Sequence, residues 1–229
     1  MSGGRLELHG ASKKSWTQLN ATAGKGVTSI TLKETVNWNV GDEIVIASTD
    51  FDPHQAEKRT ITAINGLTIS FDNPLEYMHW GVEQIYNNGS KDLVLDERAE
   101  VGLLSRNLKI QGDLSSETNG YGGHIMSMPG SISKASNIEL YRMGQKSQVG
   151  KYPWHWHLLG DADGQFIKNA GIHTSYNRVI TVHGTNNTLV EGNVGYDFIG
   201  HGYFLEDGNE TGNLFKNNLG VVCKRPKVG

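Results

Sequence analysis

The chain has 229 residues, a formal net charge of −3, one cysteine, and 29 glycines against 5 prolines. This length supports one sizeable core or two small ones. The charge balance offers no basic field for nucleic acid or an anionic membrane, the lone Cys223 excludes an internal disulfide, and no apolar run approaches the ~20 residues of a membrane span. Glycine well above the usual ~7%, among many Val, Ile, Thr and Asn residues, predicts tight turns between short strands. No long window keeps the 3,4 apolar spacing of a helix, so the expected class is all-β.

Residues 5 to about 75 read as hairpins and short antiparallel strands. Val27–Leu32 and Glu43–Ala47 alternate in polarity, and Gly41-Asp42 launches the second. Asn65-Gly66 separates Thr60–Ile64 from Leu67–Phe71, and both turn positions favour φ > 0, the strongest short hairpin signal. From about residue 92 the texture changes. The expected division is an antiparallel β cap over residues 1–91 and a right-handed parallel β-helix over 92–229, the latter read as part of a longer solenoid.

The β-helix expectation rests on a repeat. Phe166-Ile167-Lys168-Asn169, Leu189-Val190-Glu191-Gly192 and Leu214-Phe215-Lys216-Asn217 each carry two apolar residues, a charge and an Asn or Gly. They recur after 23 and then 25 residues, a solenoid period. A second strand series, Trp154–Leu159, Val179–His183 and Tyr203–Glu206, recurs between them. Stacked coils pair equivalent strands in parallel, and no coil buries its apolar face alone.

Alternation along these strands assigns faces. Trp154, Trp156 and Leu158 share one face, and His155, His157 and Leu159 the other. Ile180, Val182, Tyr203 and Leu205 are expected inside, which puts Thr181, His183, Phe204 and Glu206 outside. The predicted outward ladder is Leu159, His183 and Glu206, with His155 and His157 beside it. A lone histidine such as His173 or His183 is more often structural, and the tryptophans are more often core than sugar platforms. Two imidazoles on one strand face, about 7 Å apart, suit a shared ion or a sugar acid, so His155 and His157 are the candidate ligands of a divalent metal, with a borderline transition metal favoured over calcium. Glu206 and Asp207, being neighbours, are expected to point oppositely.

Several longer stretches have a familiar look. Gly4–Gly10 followed by Ser15-Trp16-Thr17, Trp38–Ile44 and Arg98–Asn107 resemble the domain named for its eight glycines. Gly122–Ile125, Met143-Gly144-Gln145, Tyr152–Leu158 and Gly200–Gly208 resemble the β-helix that follows it. The two occur together in the cell migration-inducing hyaluronan-binding proteins, their transmembrane hyaluronidase relatives and fibrocystin-like proteins. The resemblance covers nearly the whole chain. It implies an extracellular or secreted setting and an acidic polysaccharide partner of the hyaluronan class. Carried over residue by residue, it makes Glu206, Asp207, His201 and Arg178 the catalytic candidates, and Lys151, His183 and His124 the substrate-binding ones. Lys151 stands where the family usually has arginine, which keeps the charge and loses the bidentate fork.

Two function classes follow. A depolymerase hydrolysing glycosidic bonds needs two carboxyls about 5–9.5 Å apart, which Glu206 with Asp207, Asp161 or Asp163 would supply. Elimination from a uronic acid would use a His or Lys base instead. The alternative class is a non-catalytic carbohydrate-binding or adhesive surface module, for which the N-x-Ser/Thr sequons at Asn20, Asn88, Asn186 and Asn209 would suit a glycosylated protein. The depolymerase is the favoured expectation.

Overall fold

The structure, a computed structural model, describes residues 3–226. It divides into two compact units, Trp16–Leu103 and the pair of segments Met1–Ser15 with Leu104–Gly229. The division thus falls after Ser15 and Leu103, not at residue 91. Residue 91 lies in the turn of the antiparallel hairpin that joins Gln84–Asn87 to Asp92–Leu95.

The Trp16–Leu103 unit is antiparallel throughout. Its six-stranded sheet includes the Asn65-Gly66 hairpin, in which Asn65 opposes Thr68 and Gly66 has φ 59°, as such a turn requires. Leu19, Ile44, Ile46, Ile69 and Leu103 are fully buried in a core of its own.

The second unit is a parallel β-helix. Three parallel sheets run along it. One contains Ile132–Ser136, Phe166–Lys168, Leu189–Glu191 and Leu214–Lys216 in register. Arg5–His9 adds to it in parallel, pairing with Ile132–Ser136, so the expectation of antiparallel pairing from residue 5 fails at its first strand. A second sheet carries Leu108–Gln111, Ile138–Tyr141, Gly171–His173, Val194–Ile199 and Leu219–Lys224. The third carries Ile125–Ser127, Trp154–Asp161, Ile180–Asn186 and Tyr203–Leu205.

The repeat in the sequence has a backbone cause. After each of the four strands of the first sheet other than Arg5–His9 comes one left-handed residue, Asn137, Asn169, Gly192 or Asn217, at φ between 52° and 66°. Asn and Gly are the residues that tolerate this region best, and the corner of one or two residues that each opens turns the chain into the second sheet. Buried Asn193 ties neighbouring coils together. Its Oδ1 accepts from Ala170 N at 3.0 Å, and its Nδ2 donates to Ile167 O at 3.1 Å and to Asn218 Oδ1 at 2.9 Å. Inside, Trp154, Trp156, Ile180 and Val182 are buried with Leu140, Ile167 and Ile172. Leu205 is in register with Val182 but stays 39% exposed, because it lies on the outermost strand of its sheet.

Candidate functional site

The third sheet builds the site. Register places Met126, His155, Thr181 and Phe204 in one outward column. His157 and His183 are paired in the next. Glu206 follows directly, its N–H bonded to Val182 O at 3.0 Å. The outward ladder is therefore His157, His183 and Glu206, with no place for Leu159. The reason lies at Leu158, which takes φ 54°, opposite Gly184 at φ 51°. This left-handed residue and the register shift after His157 reverse the alternation. Leu158, expected inside, is 50% exposed, and Leu159 packs against the core.

The three imidazoles are in mutual contact. Ring centroids lie 4.8 Å apart for His157 and His183, 4.9 Å for His155 and His157, and 6.0 Å for His155 and His183. His157 Nδ1 and His183 Nδ1 are 3.0 Å apart. One nitrogen from each ring falls within 4.8 Å of the others. His155 points outward as expected yet is only 1% exposed, because it lies beneath the segment before the strand. Its Nδ1 meets Gly150 O at 2.9 Å and its ring packs on Tyr152 at 4.9 Å. Burial, first, and then the neighbouring His157, His183 and Arg178 push its pKa down to about 4, against the Gly150 hydrogen bond. Burial and His183 lower that of His157, against the pull of Glu206 and Asp207. Both shifts favour the neutral ring.

Glu206 and Asp207 do not diverge. The strand ends at Leu205, and both carboxylates reach His183. Asp207 Oδ1 lies 3.3 Å from Nε2 and Glu206 Oε2 lies 4.0 Å from Nδ1. Glu210 shapes this turn by accepting from the N–H groups of Gly184, Asp207 and Gly208. Burial raises its pKa, but those backbone donors outweigh it and hold the carboxyl below its ordinary value. Asp161, one of the alternative acid partners, instead accepts from Asn187 Nδ2 and Asp163 N beyond the bulge.

Arg178 completes the patch. Its guanidinium carbon lies 4.0 Å from the Phe204 ring centroid and 4.7 Å from that of Tyr152. Its Nη1 is 3.5 Å from Glu206 Oε2. Both atoms are buried and neither makes a hydrogen bond. His201 stacks on Phe204 at 4.4 Å and 7°, and with Tyr152, Tyr176 and Arg178 it lines a cavity of about 600 Å³. His124 and Lys151 form a pair of their own, Nε2 to Nζ 3.3 Å. Burial and the lysine charge lower the His124 pKa. Sequence reading missed the supporting roles of Tyr152, Phe204 and Glu210. An aromatic either side of an arginine is a signal only once the register is known, and Glu210 is indistinguishable from any turn carboxylate.

The lone histidine His173 is structural as expected. It is fully buried in the second sheet, with Nε2 3.0 Å from Glu139 Oε1.

Fold and site together define a parallel β-helix with a histidine–carboxylate–arginine patch on one outer face. Residues 120–228 match the family model described as CEMIP beta-helix, and the chain carries a CEMIP-type β-helix domain. It is 37% identical to Fibrocystin-L of Mus musculus, over 97% of this chain and 6% of that protein. Identity is also 37% to a G8 domain-containing protein of Dictyostelium discoideum, over 95% of this chain and 19% of that one. The same identity holds to the human cell surface hyaluronidase CEMIP2, over 87% of this chain and 15% of the relative. The chain thus spans less than a fifth of each of these three relatives.

Proposed function

We propose that this face cleaves an acidic polysaccharide of the hyaluronan class, in an extracellular setting. Similarity to a protein named as a cell surface hyaluronidase supports the substrate class. The observation that carries the reading is Arg178, whose guanidinium lies over the Tyr152 and Phe204 rings with a buried Nη1 that makes no hydrogen bond and stands 3.5 Å from a buried Glu206 oxygen. A planar guanidinium fixed in this way takes a sugar carboxylate through paired hydrogen bonds. In this reading Glu206 accepts a proton from the attacking water, whose oxygen joins the anomeric carbon as the glycosidic C–O bond breaks. Asp207, in its acid form, gives its proton to the departing sugar oxygen as that bond breaks. The two carboxyls are thus Glu206 as base and Asp207 as acid, and solvent returns the proton from Glu206 to Asp207 afterwards. Asp207 Oδ1 also lies 3.3 Å from His183 Nε2 and so orients that ring. The cavity lined by His201 and Tyr176 shares Arg178 and Tyr152 with the patch and is the place for a neighbouring sugar unit.

The test is incubation of the full chain, and of Glu206→Gln, with hyaluronan, with products sized and their ultraviolet absorbance followed. Shortening by the wild type alone, without new absorbance, is the expected result. New absorbance from unsaturated ends means elimination and overturns the hydrolytic step. Retention of hyaluronan without shortening identifies a binding module.

A further inference from the structure

We propose that His155, His157 and His183 bind one divalent transition-metal ion of the zinc type on the outer face of the β-helix, with a coordination position open toward Glu206. This deepens the reading above, since it concerns the same patch, but it rests on separate observations.

The first observation is convergence. Nitrogens bound to one zinc at about 2.0–2.1 Å stand roughly 3.3 Å apart at the tetrahedral angle. His157 Nδ1 and His183 Nδ1 are 3.0 Å apart, and the third ring offers a nitrogen within 4.8 Å of both. Small ring rotations close the remainder.

The second is the state of the buried ring. His155 uses Nδ1 on Gly150 O, so that nitrogen carries the proton and donates, and the lone pair sits on Nε2. That atom is buried without a hydrogen-bond partner. A packing histidine left so keeps a buried acceptor unmet, which is unfavourable, whereas a cation between the rings satisfies it. Thr181 Oγ1, next in the same column, is buried and also without a hydrogen bond.

The third is the outer layer. Histidine ligands characteristically donate their second ring N–H to a carbonyl or carboxylate, which fixes the tautomer. Both partners are in place here. Gly150 O holds His155 Nδ1, and Asp207 Oδ1 stands 3.3 Å from His183 Nε2. In His183 the nitrogen left over is Nδ1, the one 3.0 Å from His157 Nδ1, and in His155 it is the buried Nε2. An all-imidazole donor set selects zinc, cobalt or nickel over calcium or magnesium, which need oxygen. Among the described residues the group has three protein ligands, the number typical of a site that keeps one position for water or substrate. Glu206 Oε2, 4.0 Å from His183 Nδ1, stands beside that position.

The test uses the full chain, stripped with a chelator, dialysed and titrated with cobalt(II) while its visible absorption is followed, then with zinc in competition. One cobalt per chain with a ligand-field band, displaced by one zinc, is expected. His157→Ala and His183→Ala should lose the band while keeping the far-ultraviolet circular dichroism of the fold. Asp207→Asn should keep it with affinity weaker by about 10–100-fold. Absent stoichiometric uptake, uptake by a folded His157→Ala or His183→Ala equal to that of the wild type, or displacement of cobalt by calcium at comparable concentration would each overturn the assignment. Binding is read without substrate. Metal uptake with no cleavage sinks only the depolymerase reading, and cleavage by a protein that takes up no metal sinks only this one.

Discussion

Replacing Arg178 by lysine separates charge from geometry at this site. Lysine keeps the positive charge near Glu206 and loses both the fork and the flat face. The guanidinium lies over two rings, at 4.0 Å and 4.7 Å, with a side chain 20% exposed. Partly desolvated contacts of this kind contribute about 0.5–2 kcal/mol each, and a lysine recovers part of that. The expected loss of stability is about 1–2 kcal/mol, a fall of about 2–8 °C in the thermal midpoint for a protein of this size. In binding, exchanging a paired hydrogen bond to a sugar carboxylate for a single one removes about 1.5–3 kcal/mol. At 1.4 kcal/mol per tenfold, KM for hyaluronan oligosaccharides should rise about 10–100-fold. Glu206 is untouched, so kcat should change by only a few-fold. Steady-state kinetics on oligosaccharides of defined length, with a thermal melt of both proteins, measure all three. Unchanged KM refutes the role given to the fork. A collapse of kcat at unchanged KM would show that Arg178 acts on the transition state and not on the bound sugar acid.

Two further outcomes concern the scaffold. Asn193→Ala leaves the Ala170 N–H without its acceptor in a fully buried corner, and should lower stability by about 2–4 kcal/mol in urea unfolding; a loss under 0.5 kcal/mol would mean that the coils do not depend on this asparagine. The Glu139 carboxyl is pushed up by burial but pulled further down by His173, Lys109 and the Arg106 N–H, to a net value below its ordinary 4.5. The unfolded chain therefore takes up this proton first as pH falls, so the stability Glu139 contributes is complete above pH 4.5 and is lost as pH drops through the folded-state value. Glu139→Gln should be about 3 kcal/mol less stable at pH 7, with the gap closing below pH 4.5 in denaturation curves; a gap independent of pH would show that the ion pair is not its source.

The solenoid was legible because one of its corners needs residues with an unmistakable identity. Asn137, Asn169, Gly192 and Asn217 hold the left-handed conformation, and a motif that repeats for that reason can be counted in a sequence. The next corner repeats equally well in space, at Arg142, Thr174, Asp197 and Val222, all between φ 52° and 57°. Arginine, threonine and valine carry no turn signal, and a β-branched residue there is held by the stacked coils against its own preference. That is why two strands per coil could be read and the strand between them, which builds the second sheet, could not. The same limit hid Arg5–His9, whose alternation fits a hairpin as well as a parallel edge and is decided by a partner more than a hundred residues away.

The site shows where alternation stops being a guide. It set His157 and His183 on the outer face correctly, because both lie within regular strand. One residue later it failed, because Leu158 adopts the conformation that Gly184 adopts opposite it, and only the glycine advertises this. Past the strand end it failed again, since Glu206 and Asp207 obey the turn held by Glu210 and no longer the pleat. Yet the grouping itself follows from strand spacing alone. Parallel strands stand about 4.7–4.9 Å apart, and the His157 and His183 rings are 4.8 Å apart. A residue type repeated at one register position in successive coils is therefore delivered at about contact distance, with no loop needed to bring it there. In such a fold the chemistry-bearing constellation is a column, and its members are separated in sequence by the coil length. A search for short motifs sees His155 and His157 and stops, while the register adds His183 from the next coil and Glu206 from the one after.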